Sequence, residues 1–150
     1  MKHLDWDQGT WSIPMTKNGK PFVIPLVPVV GEWFQELREQ SFGSSWVLPG
    51  INPNHPISDN TLNAAIDALE YDPHFTVHDL RRTARTQLER LGVDIITAEK
   101  CLNHTLGGLV DIYDRGDYFE ERRKALELLA HFLVRCEQPA DKVTSLRRAG

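Results

Sequence analysis

A histidine, an arginine, a second histidine and a tyrosine follow one another along His78-Asp79-Leu80-Arg81, Leu102-Asn103-His104-Thr105 and Tyr113. His78 and Arg81 are three residues apart, so a helix would set them on one face. His104 and Tyr113, nine residues apart, lie in a short polar segment that contains Gly107-Gly108. Such a set could hold a phosphodiester, stabilise the negative charge added to it during displacement, and supply an oxygen nucleophile. A tyrosine hydroxyl, with an ordinary pKa of ~10, needs a base and an electrostatic well to play that part.

Those residues need elements to position them. Thr76 is placed to cap a helix from His78 to Leu91, with Leu80, Ala84, Leu88 and Leu91 on its inner face and Gly92 as its stop. His78 and Arg81 then occupy the first turns, where free backbone N–H groups and the helix dipole favour an anion. Arg82 lies close to the same face, and helical geometry does not choose between the two arginines. Asp79 reads as structural, through a capping bond or an ion pair. A second helix is expected from about Ile95 to Leu102, packing Ile96 and Cys101, with Asn103 or Gly107-Gly108 turning the chain. By itself His104 is more often a structural histidine than a reacting one.

Upstream, Trp11 and Ile13 alternate with Thr10 and Ser12 as a strand does, Asn18-Gly19 signals a tight hairpin turn, and Phe22-Val23-Ile24-Pro25-Leu26 forms the returning strand. Lys17 and Lys20 flank the hairpin tip, where lone lysines are usually a solvated rim. Val30, Trp33, Phe34 and Leu37 recur at helical spacing between Val29 and Phe42, and Ser58-Asp59-Asn60 starts another helix with Leu62, Ala65, Ile66 and Leu69 on its face. His55 and His74, in loops, read as surface histidines. The longest helical pattern runs from Tyr118 to Cys136, with a stripe of Phe119, Leu126, Leu129, Ala130 and Leu133, and with Glu120, Glu121, Arg122, Arg123 and Lys124 largely outside it. That stripe either packs onto its own domain or docks into a neighbouring subunit. The fold class is therefore α+β, mostly α-helical, with a small antiparallel β-hairpin or sheet near the N-terminus.

A chain of 150 residues, 41% hydrophobic and 25% charged, has the composition of one ordinary globular domain. It contains no run of the ~20 apolar residues a membrane span requires and no signal-peptide core, so a cytoplasmic location is expected. Cys101 and Cys136 lack partner spacing and read as buried free thiols. The net charge of −4 is unusual for a nucleic-acid binder, but it is unevenly spread. Residues 1–75 carry 4 Lys+Arg against 9 Asp+Glu, whereas residues 76–150 carry 13 against 12. Arg81, Arg82, Arg85 and Arg90 share one helix, a local patch able to meet phosphate within an acidic chain.

The order His-x-x-Arg, Leu-Asn-His-Thr, Tyr, with the words HDLRRT, LNHTLGG and YDRGDY and a lysine-bearing hairpin upstream, resembles the catalytic half of the tyrosine recombinases, the phage-integrase family. The resemblance runs from about Trp6 to about Cys136. It implies Tyr113 as nucleophile, with Arg81 rather than Arg82, His78, His104 and the hairpin lysine Lys17 as its catalytic partners. Tyr118 is the competing nucleophile, and spacing favours Tyr113. Asp111 and Asp114, on either side of Tyr113, are expected to point away from DNA. Arg82, Arg85 and Lys20 are the expected DNA contacts. The implied reaction is strand cleavage and rejoining of double-stranded DNA without metal or other cofactor, with self-association on DNA through the C-terminal helix.

One feature of the family is missing. Its members carry a further arginine, in the word Gly-x-Arg-x-x-Glu, on a helix ahead of the strand that begins here near Trp11, and residues 1–10 hold no arginine. The expectation is thus a truncated catalytic domain over residues 1–136 followed by a polar tail over 137–150, without the N-terminal DNA-clamping domain. Loss of one phosphate-binding donor costs about 2.7–4 kcal/mol of transition-state stabilisation, so such a fragment would be weakly active or inactive alone. The alternative is a catalytically inactive remnant that binds DNA or a recombinase partner. A metal enzyme built on His78 and His104 ranks well behind, since no carboxylate is apparent at ligand spacing near either.

Overall fold

The computed structural model describes residues 3–17, 19–105 and 116–137. It opens on a three-stranded antiparallel sheet in the order β1 (Leu4–Asp5), β2 (Thr10–Ile13), β3 (Phe22–Pro25). The expected hairpin is β2–β3, in register Trp11↔Ile24 and Ile13↔Phe22. Its loop closes through Gly19 N–H to Thr16 O at 2.9 Å and Thr16 N–H to Lys20 O at 3.1 Å. Gly19 takes φ +70°, a conformation glycine enters without steric cost. β1 extends the sheet beyond the expected pair, held by Leu4↔Trp11 and Asp5↔Thr10.

Among the described residues five helices follow: α1 (Pro28–Glu39), α2 (Thr61–Asp67), α3 (Val77–Arg90), α4 (Ile95–Cys101) and α5 (Phe119–Glu137). The fold is α+β and mostly helical. α1 starts at Pro28, whose fixed φ suits a first helical position, and Phe34 on it meets Trp11 of β2 edge to face at 5.5 Å. Leu26 and Val27, at the sheet-to-helix junction, are buried.

The core lies where α3, α4 and α5 meet, around Leu88, Ala98, Cys101 and Ala125, with Val93, Leu126 and Leu129 packed against them. β3 rests on α5. The stripe of α5 therefore packs onto its own domain, while Leu128 and Leu133 stay exposed.

Three expectations are corrected here. Leu80 is 51% exposed, because the packed cluster engages α3 at Leu88 and not at the first turns. Cys136 is exposed near the end of α5, and only Cys101 is buried. Arg122, expected outside the apolar stripe, is 1% exposed. Its guanidinium donates to Val23 O at 2.8 Å, Asp117 O at 3.0 Å and Asp117 Oδ1 at 2.8 Å, between the rings of Phe22 and Phe119. Those acceptors and the two π faces offset its desolvation and tie β3 to the start of α5.

Candidate active site

Each element end near the site is fixed by a local device. Thr76 caps α3 reciprocally with Asp79: Asp79 N–H donates to Thr76 Oγ1 at 3.4 Å, and Thr76 N–H donates to Asp79 Oδ2 at 3.0 Å. Hydrogen bonds from Thr76 hold the Asp79 carboxyl below the usual carboxylate range. Asp79 is thus the structural residue its position suggested. α3 ends in a Schellman turn, with Gly92 at φ +84° and Val93 N–H bonded to Leu88 O at 3.0 Å.

α4 ends the same way. Asn103 takes φ +52°, its N–H meets Lys100 O at 3.1 Å, and His104 N–H meets Glu99 O at 3.0 Å. Asn103 is therefore the turning residue. The turn brings His104, five positions after Glu99, back beside the Glu99 side chain.

Lys17, His78, Arg81 and His104 line one cleft of about 720 Å³. Its walls are Ile13, Phe22 and Ile24 of the hairpin on one side and Cys101, Leu102, Asn103 and Thr105 on the other. Four of the five residues named as catalytic thus come together from the hairpin, the start of α3 and the end of α4. The fifth, Tyr113, lies outside the described residues, as do Asp111, Asp114 and the residues after Glu137. Tyr118, the competing tyrosine, is not among the lining residues; its ring lies 4.8 Å from Lys100 Nζ.

Within the cleft Arg81 and His104 touch. Arg81 Nε donates to His104 Nε2 at 3.1 Å, and Arg81 Nη2 donates to Leu102 O. His104 Nδ1 is paired with Glu99 Oε2, and Arg85 Nε donates to Glu99 Oε1 at 2.5 Å. Arg85 beside Glu99 holds that carboxyl below its usual range, and the same pairing raises Arg85.

Glu99 is the site residue the sequence reading missed. A carboxylate does sit against His104, and the signal for it was Leu-Asn-His closing a helix, with asparagine in the left-handed position. Among the described residues no group of three His, Cys, Asp or Glu side chains is arranged to hold a metal.

Lys20, Arg82 and Arg85 do not line the cleft. Arg82 and Lys20 are exposed on its surroundings, Arg82 with a distant ion pair to Asp79 at 3.5 Å. Arg85, expected to contact DNA, is turned onto carboxylates instead, Glu99 and also Glu89 at 3.3 Å, because α4 crosses α3 at that level. His74, one of the two surface histidines, pairs with Asp67 at 2.8 Å.

A lysine, two histidines and an arginine thus meet in one cleft from a hairpin and two helices. Residues 1–119 match the Phage integrase family, and the chain belongs to that family. A curated relative, prophage integrase IntA of Escherichia coli (strain K12), is 26% identical over 149 residues, which cover 97% of this chain and 36% of that protein. The chain thus spans about a third of the length of the relative it matches. No solved structure matches it significantly. Among the described residues no helix is long and apolar enough to cross a membrane.

Proposed function

We propose that this chain is the DNA-cleaving part of a cytoplasmic site-specific recombinase, acting on phage or genomic-island DNA through a 3′-phosphotyrosyl intermediate. The observation that carries the reading is the convergence of Lys17, His78, Arg81 and His104 on one cleft. The hydroxyl oxygen of Tyr113 attacks the scissile phosphorus; the phosphorus–O5′ bond breaks, leaving a tyrosyl ester and a free 5′-hydroxyl. Arg81 and His104 donate to the non-bridging oxygens as charge builds on them. Lys17 protonates the departing oxygen, and His78 accepts the phenolic proton or donates as a further ligand of the phosphate. The bond energy stays in the ester, so rejoining needs no metal or nucleotide.

Arg82 and Lys20, exposed beside the cleft, hold the DNA backbone, which is where duplex affinity resides. Leu133, on the apolar stripe of α5 and exposed, offers a contact for self-association on DNA.

A nicked duplex that releases a short fragment after cleavage tests the reading, with this chain and with the longest natural product that contains it. A covalent protein–DNA band is expected, absent in Tyr113→Phe and present in Tyr118→Phe, with DNA binding retained in both. A band that survives Tyr113→Phe refutes the nucleophile. Binding without a band in any form identifies a non-catalytic DNA-binding or recombinase-partner module instead.

A further inference from the structure

The contacts of His104 fix its proton. Arg81 Nε carries a hydrogen and points it at His104 Nε2, 3.1 Å away, so Nε2 is an acceptor there. A neutral imidazole that accepts at Nε2 carries its proton on Nδ1, and Nδ1 faces Glu99 Oε2. The other oxygen of Glu99 is taken by Arg85, itself shared with Glu89. The chain of groups reads cation, carboxylate, imidazole, cation, from Arg85 through Glu99 and His104 to Arg81.

The backbone sets it up. Glu99 and His104 occupy the two positions of the α4 Schellman turn whose side chains meet, a contact that is usually hydrophobic. Here it is a carboxylate on an imidazole, 23% and 39% exposed respectively, so the pair is partly withdrawn from solvent at the rim of the cleft.

We propose that Glu99, held by Arg85, is a positioning residue for His104: it takes the Nδ1 proton, fixes the ring plane, and aims Nε2 at the place where Arg81 meets an anion. When a phosphodiester draws Arg81 toward itself, Nε2 is left facing the same oxygen, takes up a proton from water and donates it there as a hydrogen bond, the added charge on the ring being balanced by the Glu99 carboxylate. The role rests on the recombinase reading only for its catalytic consequence; the proton assignment does not.

The decisive variant is Glu99→Gln. Arg85 can only donate, so the amide oxygen must face Arg85 and the amide NH2 must face His104. Nδ1 is then forced to accept and the proton moves to Nε2, where it opposes the Arg81 hydrogen. Glu99→Ala lacks that enforced reversal, so Gln is expected to be the more harmful of the two.

Nitrogen-15 NMR of the histidine rings of the full chain, at about pH 8.5 where free imidazole is neutral, reads the tautomer without any activity. His104 is assigned by its loss in His104→Ala. The Nδ1–H form is expected in wild type and the Nε2–H form in Glu99→Gln. An Nε2–H form in wild type, or an unchanged tautomer in the Gln variant with a native backbone spectrum, overturns the proposal.

In the nicked-duplex assay, Glu99→Gln is expected to slow covalent attachment ~10–100-fold, the range for losing a hydrogen bond to a charged group. It should change DNA affinity less than about threefold and slow His104→Ala no further. Losses that multiply in the double variant would mean that Glu99 acts by another route. Should neither the wild-type chain nor the longest natural product that contains it give an adduct, while the Nδ1–H form is seen and is reversed in Gln, the recombinase reading is retired and the positioning by Glu99 stands.

Discussion

Arg122→Ala should be among the most destabilising single changes in this chain. Arg122 is 1% exposed, and its loss removes the donor that Val23 O and Asp117 O now meet at 2.8 and 3.0 Å, on residues that are themselves open to solvent. A hydrogen bond to a charged group contributes about 1.5–3 kcal/mol, and less where the partner left behind can reach water. Asp117 Oδ1, on a side chain that is 72% exposed, turns to water and adds little. The gap left between Phe22 and Phe119 adds a cavity term, so a total of about 2–4 kcal/mol is expected from the lost hydrogen bonds and the cavity together. Against the ~5–15 kcal/mol of a typical domain, that is a large fraction.

Urea unfolding followed by tryptophan fluorescence measures it, and Arg122→Lys, which keeps a cation but reaches fewer acceptors, should fall between. Because Arg122 joins β3 to the start of α5, hydrogen exchange of the hairpin amides should quicken in Arg122→Ala even where the chain stays folded. A loss below about 1 kcal/mol, or an unchanged hairpin, refutes the idea that this buried cation fastens the Lys17 hairpin.

Acid should weaken the α3–α4 contact through Glu99. Arg85 lowers the Glu99 carboxyl in the folded chain, so its stabilising contribution is complete above the unfolded glutamate value of ~4.3 and is lost as pH falls through the lower folded value. The stability gap between wild type and Glu99→Gln should therefore narrow between about pH 5 and pH 3 in urea titrations, and a gap constant over that window refutes the pairing. The two thiols should react in sequence. Burial pushes Cys101 up to about 11, whereas Cys136 is exposed. Iodoacetamide at about pH 8 should add one group to the folded chain, on Cys136, and a second only in denaturant; equal labelling of the native protein counts against a buried Cys101.

Local structure was legible in the chain itself. Asn18-Gly19 between alternating residues set the β2–β3 hairpin, and Thr76 with Asp79 and Gly92 set both ends of α3, because turns and caps are decided by groups within a few residues of one another. The same order of residues carried the likeness to the phage-integrase family and, with it, four side chains that the fold brings to one cleft.

Contacts between distant segments were not legible. Within Glu120-Glu121-Arg122-Arg123-Lys124 nothing distinguishes Arg122 from its solvated neighbours; its burial depends on a carbonyl 99 residues earlier, which only the docking of β3 on α5 supplies. Arg85 looked like a DNA contact until α4 set Glu99, 14 residues on, against it. A charged side chain takes its role from the partner that desolvates it, and that partner is chosen by helix crossing, not by spacing along the chain.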